Sequence, residues 1–368
     1  MNWNLMTYGA QVKDNKLWFS NNKFNGLFSM DINTKEIKFI SFFPEERYER
    51  WAMHKKSLTY RDKIIFIPAF GNHIHVYDVS NGEITAYQLD EDGAEQPYDR
   101  VSDAIILDGY VYILPMDYHG ELKRFNIYTG ELEPVYEFMN QIRSIATDER
   151  KFLLTRADID SEGCIRFALY DTNILCSYNI SQKKLNTYKC EVNDIFSAHT
   201  IDGRIFLLTN LSHSVYEICD DGEIKEFSCI GNTQDKGGRS YNRVVKFGEE
   251  IIVLPAFDDR VYAIENEGLI EIARIDSIGE DSLSVCSFET CVINDSLWIL
   301  PFETENCIVI EHDLSEKQRI SFELFDVVSR NKIQKKLFSE KKEEGIIFES
   351  ENWELGDFLS AVVSGDEI

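Results

Sequence analysis

The sequence predicts an all-β chain, a seven-bladed β-propeller of four-stranded blades. Three observations carry this: a unit of about 47 residues recurs, each unit alternates apolar and polar residues with period two, and turn dipeptides separate the alternating runs. The clearest copies are KIIFIPAFGNHIHVYDVSNGEITAYQL (63–89), YVYILPMDYHGELKRFNIYTGELEPVY (110–136), EIIVLPAFDDRVYAIENEGLIEIARI (250–275) and SLWILPFETENCIVIEHDLSEKQRISF (296–322). Each reads as an apolar run closed by Pro, a polar loop, an alternating strand, a turn and a second alternating strand. Weaker copies cover 16–40, 151–190 and 204–227.

The residue closing each apolar run marks the period: Ser20, Pro68, Pro115, Thr155, Thr209, Pro255 and Pro301, with steps of 48, 47, 40, 54, 46 and 46. The uneven steps flank the fourth unit, where DSEGCIRFALYD reads as an insertion. One further strand precedes each run, as in VSDAIILDG (101–109), YNRVVKFG (241–248) and FETCVIND (288–295), which makes four per unit. Runs such as Ile64-Ile65-Phe66-Ile67 are β-branched or aromatic throughout, as strands buried on both faces must be. The dipeptides Asn81-Gly82, Asp108-Gly109, Asp202-Gly203 and Asp221-Gly222 supply hairpin turns. After residue 324 the pattern breaks: 325–345 reads as a short surface helix, and 345–363 resembles the first unit. The expected organisation is a propeller over 1–324 and a ring-closing helical or partial-blade tail over 325–368. Six or eight blades stay open as alternatives.

Composition narrows the function. Lys+Arg 38 against Asp+Glu 64 gives a net charge of −26, which repels phosphate backbones and anionic bilayers, so neither nucleic acid nor membrane is an expected partner. No signal sequence and no apolar span of membrane length is visible, and the eight cysteines form no C-x-x-C pair. The expectation is a cytoplasmic protein without disulfides. Walker, Rossmann and G-x-S-x-G signatures are missing, so no cofactor is expected.

The run Asp-Gly-x-apolar-Tyr, the pair Tyr77-Asp78 and the Gly-Glu turns at Gly82-Glu83 and Gly130-Glu131 resemble kelch-type and related bacterial propeller repeats over nearly the whole chain. That resemblance implies a propeller and no particular activity, because such rings host binding proteins and enzymes alike.

In a propeller, the loops leading into the innermost strands and those after the second strands open on one face, around a central funnel. Twelve positions before each anchor stand Tyr8, Lys56, Asp103, Arg143, Ser197, Arg243 and Glu289, a charged set able to pair between blades, Lys56 with Asp103 with Arg143, and Arg243 with Glu289. The same face carries Arg50, Trp51, Tyr98, Arg100, Tyr118 and Tyr241, which with Arg143 and Arg243 form the expected ligand-binding set, since Arg beside aromatic rings suits anchoring a protein, peptide or carbohydrate. The leading expectation is therefore a non-catalytic recognition or scaffold propeller. The alternative is a funnel lyase or hydrolase acting on a saccharide or small modified peptide, with His54, Asp103, Asp117 or His119 as acid or base. His54, His73, His119 and Asp117 are also the candidate ligands of a divalent metal, although without tight spacing.

Overall fold

The computed structural model describes residues 3–90, 101–116, 118–145, 156–160, 162–219, 222–229, 241–256, 259–266, 268–275, 289–300 and 306–343. The strands run in consecutive antiparallel meanders of four. The first holds β1 (Thr7–Lys13), β2 (Lys16–Asn21), β3 (Leu27–Asp31) and β4 (Ile37–Ser41), and the second β5 (His54–Tyr60), β6 (Lys63–Pro68), β7 (His73–Asp78) and β8 (Ile84–Gln88). Next come β9 (Val101–Leu107), β10 (Tyr110–Pro115), β11 (Lys123–Asn126) and β12 (Leu132–Pro134), then helix α1 (Tyr136–Ile145). A further meander is β13 (Asp158–Ile159), β14 (Cys164–Ala168), β15 (Ile174–Asn179) and β16 (Lys184–Lys189). Then follow β17 (Ile195–Ile201), β18 (Arg204–Thr209), β19 (Ser214–Ile218) and β20 (Ile224–Cys229), and β21 (Tyr241–Phe247), β22 (Glu250–Pro255), β23 (Arg260–Glu265) and β24 (Gly268–Arg274). These two meanders join into one eight-stranded sheet where β20 and β24 pair in parallel at Ser228–Gly268 and Cys229–Leu269. The last is β25 (Thr290–Ile293), β26 (Ser296–Ile299), β27 (Asn306–Ile310) and β28 (Glu316–Ser321), ahead of helix α2 (Val327–Glu343).

Burial grades along each meander. Second strands such as β6, β10 and β22 are buried from their second residue onward, whereas fourth strands such as β8 and β16 are largely open to solvent. Continuous apolar runs thus lie between neighbouring sheets and alternating runs lie at the periphery. The first strands converge: β1 lies against β5 and β25, β5 against β9, and β17 against β13, β14 and β21. At their closest, β1 and β5 leave no room for a side chain, since a Cβ on Gly9 would fall 2.6 Å from the Ser57 backbone nitrogen. Gly9→Ala is therefore expected to force the two strands apart and cost about 1–3 kcal/mol, read as a lower urea midpoint at unchanged m-value. An unmoved midpoint would show that the strands separate freely.

The ends of the chain meet. Leu5 donates its backbone N–H to the Phe322 carbonyl at 2.7 Å, and Leu324 donates to the Trp3 carbonyl at 3.1 Å. One apolar core accordingly mixes Leu5, Phe19 and Phe28 with Trp298, Leu300 and Phe322. Helix α2 is capped by Asp326, whose carboxylate accepts the backbone N–H groups of Val328 and Ser329, and it buries Ile333 and Leu337 on the same core. The segment expected to resemble a partial blade, 345–363, lies outside the described residues. Among those described, no helix is long and apolar enough to cross a membrane.

The fourth repeat departs from the expected register. The stretch read as an insertion holds β14, a second strand in its own right, with β13 directly before it. Arg143, placed twelve positions before the fourth anchor, stands on α1. The helix forms because Phe138, Met139 and Ile142 share one face, which packs on Phe167 and Tyr178 of the β13–β16 sheet. Gln141 fixes it there, donating to the Lys183 carbonyl at 2.9 Å and accepting from the Leu185 N–H at 2.8 Å.

Candidate functional site: a charged axis under an aromatic rim

A recurring irregularity aims the central side chains. In β5, β9, β17 and β21 the ladder to the second strand slips by one residue, and Lys56, Asp103, Ser197 and Arg243 are the first paired residues beyond the slip. Beyond these bulges Lys56, Asp103 and Arg243 line one cavity, while Ser197 bonds His199. Lys56 Nζ meets the Asp103 carboxylate at 2.5 Å, and Arg243 Nη1 meets Glu289 at 2.5 Å. Arg156, immediately ahead of β13, reaches the second oxygen of Glu289 at 3.2 Å across 133 residues of chain. The Asp103 carboxylate also accepts the Ala157 N–H at 2.7 Å, and Asp158 accepts the Thr200 N–H at 2.7 Å. A cavity of about 70 Å³ remains between them, lined by Lys56, Asp103, Arg156, Asp158, His199 and Arg243.

Electrostatics assign the charges. Burial alone would raise the carboxyls of Asp103 and Glu289, but the cations beside them, Lys56 and Arg156 for the first and Arg243 and Arg156 for the second, hold both below the usual range. Asp158 moves the other way, raised by burial and by the neighbouring Asp103 carboxylate. His199, buried and facing Arg156, Arg243 and Lys56, is held neutral, its Nε2 bonded to Ser197 Oγ at 3.0 Å.

Arg143 does not join this axis. On α1 its guanidinium turns to Glu121 at 3.0 Å and to the Tyr118 carbonyl at 3.2 Å, and Arg156 supplies the axial cation instead. Asp103, a candidate acid or base, is a buried partner of Lys56, so its proton is not held ready for transfer. Tyr241, expected on the rim, is 3% exposed, with its hydroxyl 3.2 Å from the His213 carbonyl. Sequence reasoning missed Arg156, Asp158 as an axial residue, and His199.

His54 is likewise not a rim residue. It is buried between the first two meanders in a file of hydrogen bonds from Ser20 Oγ to His54 Nδ1 (2.8 Å), His54 Nε2 to His75 Nδ1 (2.8 Å) and His75 Nε2 to the Pro44 carbonyl (2.9 Å). The tautomers follow from the end of the file. A carbonyl only accepts, so His75 carries its proton on Nε2 and accepts on Nδ1, His54 carries its own on Nε2, and the Ser20 hydroxyl donates to His54 Nδ1. Burial pushes His75 down to about 3 and His54 well below the ordinary histidine range. Next to this file, His73 Nδ1 contacts Glu46 Oε1 at 3.0 Å, and the ligand atoms of Glu46, His73 and His75 lie within 4.8 Å of one another. A divalent ion would fit that spacing, yet the hydrogen bonds above already occupy Glu46 Oε1, His73 Nδ1 and both ring nitrogens of His75. The expected quartet of His54, His73, His119 and Asp117 is not what converges. His119 is exposed beside Tyr118, and Asp117 lies outside the described residues, as do Tyr98 and Arg100.

Away from the axial set, Trp51 is 60% exposed and stacks on Phe70 with ring centroids 4.6 Å apart and planes inclined by 31°. The backbone holds this pair in place, Phe70 N–H donating to the Ala52 carbonyl at 3.2 Å and Ala52 N–H to the Asn22 carbonyl at 2.6 Å. Arg50 precedes Trp51 and is half-buried, and Tyr118, also half-buried, donates its hydroxyl to the Arg143 carbonyl at 3.5 Å.

No protein-family model and no curated protein sequence matches this chain. Solved structures do. Virginiamycin B lyase from Staphylococcus aureus aligns over 83% of this chain and 96% of its own, with a TM-score of 0.61 at 15% identity. Kluyveromyces lactis Hsv2 aligns over 86% and 99%, with a TM-score of 0.53 at 10% identity. The dihydro-heme d1 dehydrogenase NirN, in complex with DHE, aligns over 83% and 63%, with a TM-score of 0.53 at 12% identity. At these identities the likeness concerns architecture alone, and the chain has a β-propeller-like fold.

Proposed function

We propose that the seven meanders are the blades of a seven-bladed propeller, and that the protein recognises a protein, peptide or glycan ligand on the rim around Trp51 without transforming it. The observation that carries the reading is the exposed Trp51 stacked on Phe70 and held by backbone bonds. A rigid, amphipathic ring presented this way binds at low entropic cost. The axial cavity favours recognition over turnover, because about 70 Å³ is well under the roughly 300–1,000 Å³ of a typical small-molecule site. Of the candidate acids and bases, His54 is locked in its tautomer and Asp103 in its ion pair. We place the protein in a reducing compartment, a reading supported by the free thiols at all seven described cysteines.

The test is a screen of peptide and glycan arrays with the wild-type protein and Trp51→Ala. A truncated anchor should weaken any ligand found by roughly 30-fold, with no fall in melting temperature because Trp51 is exposed. A ligand bound equally by both proteins would move the site elsewhere, and turnover of an array ligand would replace recognition by catalysis.

A further inference from the structure

We infer that Glu46, His73 and His75 form a binding site for one divalent transition-metal ion, zinc or a chemically similar cation. The backbone brings the three together. His73 and His75 stand two apart on β7, so both rings leave the same face of the strand, with centroids 6.0 Å apart. Glu46 reaches them from the segment between β4 and β5, and one potential ligand atom of each residue lies within 4.8 Å of the others. Two zinc–ligand bonds of about 2.0–2.1 Å at a tetrahedral angle span about 3.4 Å. The donors therefore have to close by no more than about 1.4 Å, a side-chain adjustment.

The buried carboxylate favours a cation here. The Glu46 side chain is 1% exposed; among the described residues its only ion-pair partner is His73, and no Lys or Arg neutralises it. The N–H groups of Asn72 and His73 and the His73 ring all bond to Oε1, which leaves Oε2 bare among the described residues. An enclosed carboxylate gains most from a positive charge at its bare oxygen.

The hydrogen bonds already at the site can rearrange without loss of a proton. His75 frees Nε2 from the Pro44 carbonyl by carrying its proton on Nδ1, where it donates to His54 Nε2, and His54 then donates from Nδ1 to Ser20 Oγ. Both rings keep one proton each, and only the direction of the file reverses. That file then supplies the outer support of a metal-bound imidazole, whose second nitrogen donates to a fixed acceptor. His73 Nε2 bonds to no described residue, so this ring can change tautomer and offer Nδ1. Two imidazoles and one carboxylate suit zinc and leave a coordination position for water, which can donate to the released Pro44 carbonyl. The His73 side chain is 17% exposed and gives the ion a way in.

This inference uses neither Trp51 nor Phe70, so it and the recognition reading stand or fall separately. The experiment is a calorimetric titration of the full chain, stripped with EDTA, with zinc and cobalt chloride against magnesium and calcium chloride. Zinc and cobalt should bind at one equivalent and the two hard cations should not, and the cobalt complex should show visible d–d bands without thiolate charge transfer. His73→Ala and Glu46→Gln should each weaken zinc by more than about a hundredfold, the upper end of what losing an outer-shell partner costs. Zinc affinity unchanged in both variants, equal binding of magnesium, or thiolate bands from the free cysteines would overturn the proposal. Where Glu46→Gln fails to fold, the partly exposed His73→Ala and the wild-type cobalt spectrum decide.

Discussion

Between pH 7 and pH 5 the protein should lose a large part of its stability, with unfolding free energy falling by up to about 4 kcal/mol per pH unit near pH 5.5. Three histidines cause this. His54, His75 and His199 are buried and neutral, each held below the value of about 6.5 that it regains in the unfolded chain. Below pH 6.5 the unfolded chain therefore binds protons that the fold refuses. Their contribution is fully present above pH 6.5 and is lost as the pH falls toward the folded value, about 3 for His75. At pH 5 each histidine that stays neutral costs about 2 kcal/mol relative to the unfolded chain, so three cost about 6 kcal/mol, against a typical total of roughly 5–15 kcal/mol. Asp103 and Glu289, with lowered values, add to the loss only below about pH 4.5. Asp158, raised, opposes it. Urea midpoints at half-unit pH intervals measure the slope, and His199→Gln should remove about one third of it. A slope equivalent to less than one proton between pH 5 and 6 would mean that these rings gain protons in the fold.

The second large effect is expected at the axis. Glu289→Ala leaves Arg156 and Arg243 facing each other without their shared carboxylate, in a setting where the three side chains are 12%, 21% and 13% exposed in the order Arg156, Arg243, Glu289. Removing one partner of a buried pair costs about 3–5 kcal/mol, because the stranded charge stays desolvated. Added salt should restore little, since screening acts weakly inside the fold. The exposed pair Lys183–Glu137, at 60% and 48%, gives the contrast: Glu137→Ala should leave the midpoint essentially where it was. Chemical denaturation of the two variants side by side reads the difference. Equal small losses would show that the axis is wet and its pairing ornamental.

How much of this was legible in the sequence depends on which residues repeat. The spacing of twelve between Lys56 and Pro68, Asp103 and Pro115, Ser197 and Thr209, and Arg243 and Pro255 located most of the axial positions, because a bulge and a closing residue recur at fixed distance. The fourth repeat misled, since Cys164-Ile165-Arg166-Phe167-Ala168 is interrupted by a charge and did not read as a buried strand. Had Ala168 been taken as the anchor, the same spacing would have named Arg156. The helical spacing of Phe138, Met139 and Ile142 was also there to be read. His75 and His199 carried a weaker signal: each sits inside an alternating strand among apolar neighbours, and a histidine there is indistinguishable in sequence from one facing solvent. Tyr241 failed for the converse reason. An aromatic at a strand's first residue can serve the rim or the core, and packing against Tyr262 decided for the core.

The closure between residues 3–5 and 322–324 bears on how the protein is made. During synthesis the first meander emerges with one flank of its core, around Phe19 and Phe28, lacking Trp298, Leu300 and Phe322. These arrive only after some 300 further residues have been translated, which at about 5–20 residues per second is a wait of roughly 15–60 seconds. Such long-range pairing gives high contact order and slow completion, and through that interval an apolar sheet flank and the backbone groups of residues 3–5 are open to other nascent chains. The junction that seals the ring is thus also the point at which a crowded ribosome array would draw this protein into swapped or aggregated forms.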